Sequence, residues 1–372
     1  MKIAVLGAGM VGRTIATDLS KDFDVTSFDR DKTNLDILRK YTNVKCIKAD
    51  LSLQESFNEL LKDFDLIVNA VPGFMGYKTL EAIINCGKNV ADISFFSEDA
   101  LALHELAVQK NVTAIVDCGV APGMSNLILG YHNSLMKIDS FECMVGGLPK
   151  LRVKPFEYKA PFSPIDVIEE YTRPARYVEN GFIITKPALS DAELINFEHV
   201  GSLESFNTDG LRSILFTMKH IPDMKEKTLR YPGHISLIQA LMQAGFFNEV
   251  EINVKGKNVS PLDVTSAILF NQWKSEPGAA EFTIMKIIIK GTENTVQKKV
   301  EYLLYDEYDT ATQTPSMSRT TGYACNAFAN LIINKKFDKK GVFPPELIGH
   351  DEECFKFVMN YLKERCIIYN MS

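Results

Sequence analysis

Short apolar runs bounded by turn residues alternate with amphipathic stretches through the first third of the chain. Residues 2–6 form such a run, and a helix-period stretch follows it to residue 19. Runs at 24–28, 44–49, 65–70, 88–93 and 113–117 predict five more strands, with a helical stretch at 98–109 before the last. Six strands joined by helices within about 120 residues predict a doubly wound parallel α/β sheet. The pattern breaks at the turn-rich loop 118–123, after which a helix is expected over 125–135. Alternating segments follow at 140–146, 181–185, 194–197, 249–254, 282–290 and 298–306, with helix-like stretches at 235–244 and 261–273. These predict an α+β region whose mixed or antiparallel sheet has one face covered by helices. The small-residue apolar segment 320–333 suits a tightly packed helix returning to the first domain. The reading is therefore a first domain at 1–124, an inserted one at 125–315 and a returning segment at 316–372.

Gly7, Gly9 and Gly12 stand in GxGxxG spacing directly after the first strand and at the start of the first helix, with Asp29 closing the second strand. That constellation is the Rossmann fingerprint for a dinucleotide. Gly7 permits the tight turn, Gly9 removes a side chain that would block the pyrophosphate, and Gly12 lets helix and strand approach. The helix start at Met10 and Val11 offers free N–H groups to the phosphates. Asp29 would accept from the ribose hydroxyls and repel a 2′-phosphate, which favours NAD over NADP, although Arg30 beside it could tolerate that phosphate. Asp50, at the end of the third strand, could reach the adenine or cap the following helix. Ala70, Val71 and Pro72 end the fourth strand at the carboxyl edge of the sheet, where ligands sit in such folds.

Composition narrows the possibilities. With 372 residues and 46% hydrophobic content the chain can bury a large core, and its formal charge of -6 is spread without a basic block, which argues against a nucleic-acid partner. The seven cysteines show no CxxC pair and the six histidines no HxxxH pattern, so no metal site is expected and the thiols read as reduced and cytoplasmic. No apolar run reaches the ~18 residues of a membrane helix.

Residues 146–176 form the least periodic stretch, with five prolines, several aromatics and close-set opposite charges. A long loop of this kind suits an active-site wall, with acids for an ammonium and arginines for a carboxylate; a surface excursion that stabilises a dimer accounts for it as well.

The fingerprint, the Asp117-Cys118-Gly119-Val120-Ala121-Pro122-Gly123 loop, Gly147-Leu148-Pro149, Pro161-Phe162-Ser163-Pro164, the segment from Thr228 to His234 and that from Gly341 to Glu346 together resemble the saccharopine dehydrogenase family over essentially the whole chain. Within it the sequence looks most similar to the lysine 6-dehydrogenase branch. The resemblance implies a Rossmann domain completed by C-terminal residues, an inserted substrate domain whose sheet helps to form a homodimer, and an NAD-dependent oxidoreductase acting at a C–N bond of an amino acid. Saccharopine reductases carry an Asn-Arg-Asp run where this chain has Asn207-Thr208-Asp209, so a tricarboxylate site would lack that arginine. Arg212, four residues beyond Thr208, could partly compensate on a helix. Saccharopine chemistry and a carboxynorspermidine synthase branch stay open.

Oxidising the ε-amine of lysine to 2-aminoadipate 6-semialdehyde and ammonia requires a neutral nitrogen, whereas the free amine has a pKa of about 10.4. A base is therefore needed. Asp92, at the end of the fifth strand, is the first candidate; a strand-end carboxylate capping backbone N–H groups explains it too. Glu157 and Asp209 are rivals, His234 could relay a proton, and Cys118 reads as a packing thiol. Arg212 or Arg173 would hold the substrate carboxylate, Arg230 serves structure or binding, and Glu157 or Asp166 would select a cationic end. A protein that binds NAD without catalysis is the other class; the polar wall favours an enzyme.

Overall fold

The computed structural model describes residues 1–161, 164–276 and 278–372; Phe162 and Ser163, part of a stretch that carries the family resemblance, lie outside the described residues. Seven strands form a fully parallel sheet in the order Gly341–Phe343, Thr113–Ile115, Asn89–Asp92, Leu66–Asn69, Lys2–Leu6, Asp24–Asp29, Lys45–Lys48. Ile3 to Leu6 and Ile67 to Val68 are sealed from solvent, as expected of strands covered on both faces. The chain adds strands outward to Lys45–Lys48, then returns to the other side of Lys2–Leu6. The reversal places a switch point between Lys2–Leu6 and Leu66–Asn69, and the cleft opens at their carboxyl ends. The seventh strand, Gly341–Phe343, is too short to show a period.

The second sheet is mixed. Its path runs Glu193–Phe197, Gly201–Asn207, Asp223–Arg230, Lys137–Pro149, Glu281–Glu293, Val296–Glu307, Tyr369–Met371, and Asp223–Arg230 pairs in parallel with Lys137–Pro149. The other pairings are antiparallel, and Ala175–Glu179 with Phe182–Lys186 joins beside the path. Helices Pro164–Thr172, His234–Gln243 and Pro261–Trp273 bury Tyr171, Ile235, Ile238, Leu269 and Trp273 against Met144, Leu148, Leu229 and Phe282. A second apolar cluster runs from Ile3, Val5 and Ile115 of the first sheet to Met224, Ile287 and Leu304 of the second.

Two sequence expectations change here, and one strand without a sequence signal appears. The segment 249–254 contributes no strand to the large sheet; Ile252–Val254 pairs only with Lys257–Val259 in a hairpin. Asp223–Arg230 is a central strand whose residues from Glu226 to Arg230 are all buried, although three of the five are charged. Polarity made that strand invisible to periodicity. The last strand, Tyr369–Met371, joins the second sheet and not the first.

The C-terminal part is clamped to the first helix, Met10–Leu19, through Asp18. Its carboxylate Oδ2 accepts from Asn326 Nδ2 at 3.0 Å, Tyr361 Oη at 3.0 Å and Arg365 Nε at 2.8 Å. These bonds hold the carboxyl ionised, below its ordinary range, against the penalty of burial. Among the described residues no helix is long and apolar enough to cross a membrane.

Candidate active site

One cleft of about 1580 Å³ runs from the glycine turn across the carboxyl edge of the first sheet to the wall of the second. Its volume exceeds the ~300–1,000 Å³ of a single small-ligand pocket, so a dinucleotide and a substrate can share it. Gly7, Gly9, Met10, Val11, Gly12, Asp29, Arg30, Asp50, Ala70, Val71 and Pro72 all line the cleft.

The turn fits a pyrophosphate. Gly7 has φ +108°, and a Cβ there would fall 2.5 Å from the Ala70 carbonyl oxygen; at Gly12 it would fall 2.2 Å from the Gly7 oxygen. A Cβ on Gly9 would meet nothing within 4 Å, so the space above this residue is open toward the cleft. Asp29 ties the turn to the second strand: Oδ2 accepts from Ala8 N at 2.7 Å and Oδ1 from Asp31 N at 2.8 Å. One acceptor position on Oδ1 is left for a ribose hydroxyl. Asp50 closes the turn after its strand, its Oδ1 accepting from both Ser52 N and Ser52 Oγ, at 3.0 and 2.7 Å.

On the opposite wall, acids outnumber available cations. Asp209 lines the cleft, but Arg176 grips it with a two-pronged fork at 2.8 and 2.9 Å. Arg230 is buried over the Tyr158 ring at 4.3 Å and donates to Glu170 Oε2 at 2.7 Å, and burial raises the Glu170 carboxyl against the pull of that guanidinium. Arg173, which follows the helix Pro164–Thr172, lines the cleft, pairs with Glu169 one turn back and lies 5.5 Å from the Phe95 ring. Glu226, beside these groups, has no ion pair among the described residues, and burial followed by the charges of Glu170 and Asp209 pushes its carboxyl up to about 8. Sequence reasoning missed Glu226. A glutamate in a run of alternating charges reads as surface until its strand is known to be central.

Several candidates take other places. Glu157 does not line the cleft; it accepts from Arg152 Nε and Nη2 at 2.8 and 2.6 Å, in a bridge whose arginine is half exposed. Its role as a base is therefore corrected. His234 is buried behind the wall, with Nδ1 2.9 Å from the Phe156 carbonyl and Nε2 2.9 Å from Tyr171 Oη. A carbonyl can only accept, so Nδ1 carries the proton and Nε2 accepts from Tyr171, whose oxygen accepts in turn from Arg230 Nε at 3.1 Å. Burial, followed by the Arg230 charge, lowers this imidazole to about 3, so it positions Tyr171 and Arg230 and relays no proton. Arg212 is buried on Asp117 at 2.8 Å and does not line the cleft, so it does not replace the arginine absent at Thr208. Thr208 does line it, its hydroxyl 3.1 Å from that of Thr228.

Asp92 is sealed beneath the cleft floor. Its oxygens accept from Asn69 Nδ2 at 2.6 Å and from Ser94 N at 2.7 Å, and the Ser94 hydroxyl donates to it too. Burial lifts it to about 7 against those bonds, yet the residue that lines the cleft is Ser94. Cys118 is a buried thiol raised well above its ordinary range by burial. Among the described residues no group of three or more His, Cys, Asp or Glu side chains is placed to hold a metal ion.

Residues 3–115 match the family described as the saccharopine dehydrogenase NADP binding domain, and residues 119–368 match the saccharopine dehydrogenase C-terminal domain. The chain belongs to the saccharopine dehydrogenase family. Alpha-aminoadipic semialdehyde synthase of Arabidopsis thaliana is 24% identical over 362 residues, covering 86% of this chain and 34% of that protein. The saccharopine dehydrogenase [NADP(+), L-glutamate-forming] of Saccharomyces cerevisiae is 24% identical over 264 residues, 66% of this chain and 58% of its own length. The chain thus spans about a third of the first of these relatives and under three fifths of the second. Apo saccharopine dehydrogenase (L-Glu forming) from Saccharomyces cerevisiae shares the fold at a TM-score of 0.80 and 19% identity, over 100% of this chain and 99% of that one. Homospermidine synthase from Legionella pneumophila, solved with NAD, does so at 0.69 and 12%, over 100% and 91%. Both likenesses place this family chain in the same architecture.

Proposed function

We propose that this chain is a nicotinamide-dependent oxidoreductase acting at the C–N bond of a cationic amine, with the ε-amine of L-lysine as substrate and NAD as cofactor. The observation that carries the reading is the charge pattern of the wall: Arg173, Arg176 and Arg230 are each paired with an acid of the site, and Glu226 remains unpaired among the described residues. A tricarboxylate would need several uncommitted cations there, and the lining cations of that wall without an ion pair among the described residues are two lysines, Lys159, which donates to the Gln272 carbonyl, and Lys274. An ammonium needs only an uncommitted acid.

The dinucleotide would lie against Gly7, Gly9 and Gly12, with its ribose at Asp29. When bound, its nicotinamide supplies an acceptor for the hydride of the carbon next to nitrogen. The chain does the rest. Ser94, held by Asp92, gives a polar floor at the sheet edge. Arg173 is the arginine best placed to take the amino-acid carboxylate, because its partner Glu169 is a partly exposed neighbour one turn back, a pair that an incoming carboxylate can open. Tyr158, Tyr171 and His234 fix Arg230 and through it Glu170.

The names of the curated relatives favour a second reading, oxidation of saccharopine to an aminoadipic semialdehyde. Purified protein with NAD or NADP, offered L-lysine or saccharopine at alkaline pH, decides between them. Reduction of NAD with lysine, with ammonia released, supports the first; turnover of saccharopine alone supports the second; tight NAD binding without turnover of either removes both.

A further inference from the structure

Glu226 stands on Asp223–Arg230, and with Thr228 and Arg230 it presents one face of that strand to the cleft. The residue is 8% exposed. Its carboxylate lies over Gly210, where a Cβ would fall 1.8 and 2.1 Å from the two oxygens, so the glycine makes room for it. Every nearby arginine is already engaged: Arg212 by Asp117 at 2.8 Å, Arg176 by Asp209 at 2.8 Å, Arg230 by Glu170 at 2.7 Å. The groups that act on Glu226 are Glu170 from the helix Pro164–Thr172, Asp209 and Arg212 from the loop after Gly201–Asn207, and Asp117 from the loop after Thr113–Ile115. Cys143, its register partner on Lys137–Pro149, is a buried neutral thiol.

A buried carboxyl without a cation, between two further acids, is completed by a ligand that brings positive charge. Resting on the amine-oxidoreductase reading, we propose that Glu226 receives the reacting ammonium of the substrate and removes the proton that blocks its oxidation. The step balances: R–CH2–NH3+ and the Glu226 carboxylate become R–CH2–NH2 and the Glu226 carboxylic acid. Loss of hydride from the adjacent carbon, the step the nicotinamide serves, leaves R–CH=NH2+. Water adds to that carbon, the C–N bond breaks, R–CHO and NH4+ leave, and Glu226 returns its proton to solvent. The raised carboxyl suits the task, since a base that titrates near the working pH can both take and release a proton. Asp92 cannot do this directly, because both its oxygens are engaged below the floor. Asp209 is held in the Arg176 fork.

The test uses Glu226→Gln, Glu226→Asp and the wild-type protein with L-lysine, 1,5-diaminopentane and saccharopine. The first readout is kcat/KM against pH. The wild type should lose about tenfold per pH unit below about 8. Glu226→Gln should be slower by roughly 10²–10⁴ near pH 8 and should not level off there, its rate rising on toward the amine's own pKa of about 10.4, and Glu226→Asp should keep the levelling near pH 8 with an intermediate loss. The second readout needs no turnover: amine binding in the presence of NADH, followed by calorimetry in buffers of different ionisation enthalpy. At pH 7 the wild type should release about one proton per amine bound, and Glu226→Gln none. A Glu226→Gln protein within threefold of wild type, with the levelling near pH 8 and the proton release intact, overturns the assignment and leaves the oxidoreductase reading standing. So does a folded Glu226→Asp protein without the levelling near pH 8. A wild type that neither binds nor oxidises any of the three amines overturns both.

Discussion

Arg212 Nε donates to Asp117 Oδ1 at 2.8 Å across the junction of the two sheets, and both residues hold left-handed backbone, with φ of +48° and +54°. Both are buried, and Arg212 also donates to the Phe96 carbonyl and lies 4.9 and 5.0 Å from the Phe95 and Phe96 rings. Strained backbone of this kind persists where the surroundings over-determine it. The pair is a fastener between the first sheet and the opposite wall of the cleft. Arg212→Ala leaves Asp117 buried without its partner, so the protein should lose about 3–5 kcal/mol of stability, as broken buried pairs do. Urea unfolding measures this. If the arginine instead held substrate, the variant would unfold like wild type and lose affinity for the amine.

The fingerprint glycines separate binding from folding. A Cβ on Gly9 enters open cleft, so Gly9→Ala should unfold like wild type yet weaken NAD binding by about tenfold or more, roughly 1.4 kcal/mol. A Cβ on Gly12 collides with the Gly7 carbonyl, so Gly12→Ala should lose stability as well as affinity. Thermal unfolding with and without NAD distinguishes the two variants. Equal losses of stability in both would show that the space above Gly9 is structural.

These glycines were legible because the spacing of a phosphate-binding turn is local: strand, turn and helix follow one another within twenty residues. The first six strands were legible for the same reason, each lying in a short run with apolar residues, and all but the edge strand Lys45–Lys48 are largely buried. The wall was not. Glu226 acquires its chemistry from Glu170, Asp209 and Asp117, which approach from three other parts of the chain, and nothing near residue 226 in sequence announces a central strand. Arg212, Asp209 and Glu157 had the charge that substrate binding or proton transfer requires. Their commitment to Asp117, Arg176 and Arg152 is set by long-range packing or by a loop without a period. Composition could show that acids and arginines were present; only their pairing decides which remain for a ligand.

The raised Glu226 carboxyl carries a stability consequence. In the unfolded chain this group ionises near 4.5, whereas in the folded protein it keeps its proton until about 8, so folding is opposed increasingly between those values and fully above them. Glu226→Gln does not titrate. The variant should match wild type at pH 4 and become more stable than it as pH rises to 9, by up to a few kcal/mol, with the difference flat above that. Denaturant midpoints across the range measure the effect. An unchanged difference from pH 4 to 9 would mean that the carboxyl ionises normally in the fold.

Arg173 offers a test of substrate class that does not depend on the base. It lines the cleft, keeps part of its side chain accessible and among the described residues has its one ion pair with Glu169, four residues back, so a substrate carboxylate can compete for it. A charged hydrogen bond of this kind contributes about 1.5–3 kcal/mol, which corresponds to roughly ten- to hundredfold in binding. Arg173→Ala should therefore raise KM for L-lysine by that factor with little change in kcat. 1,5-Diaminopentane has the same reacting end and no carboxylate, and its KM should stay within about twofold. Steady-state kinetics on the two amines gives both values. Equal increases would move Arg173 from substrate recognition to the structural support of its helix, and an increase for saccharopine alone would place the tricarboxylate in this cleft.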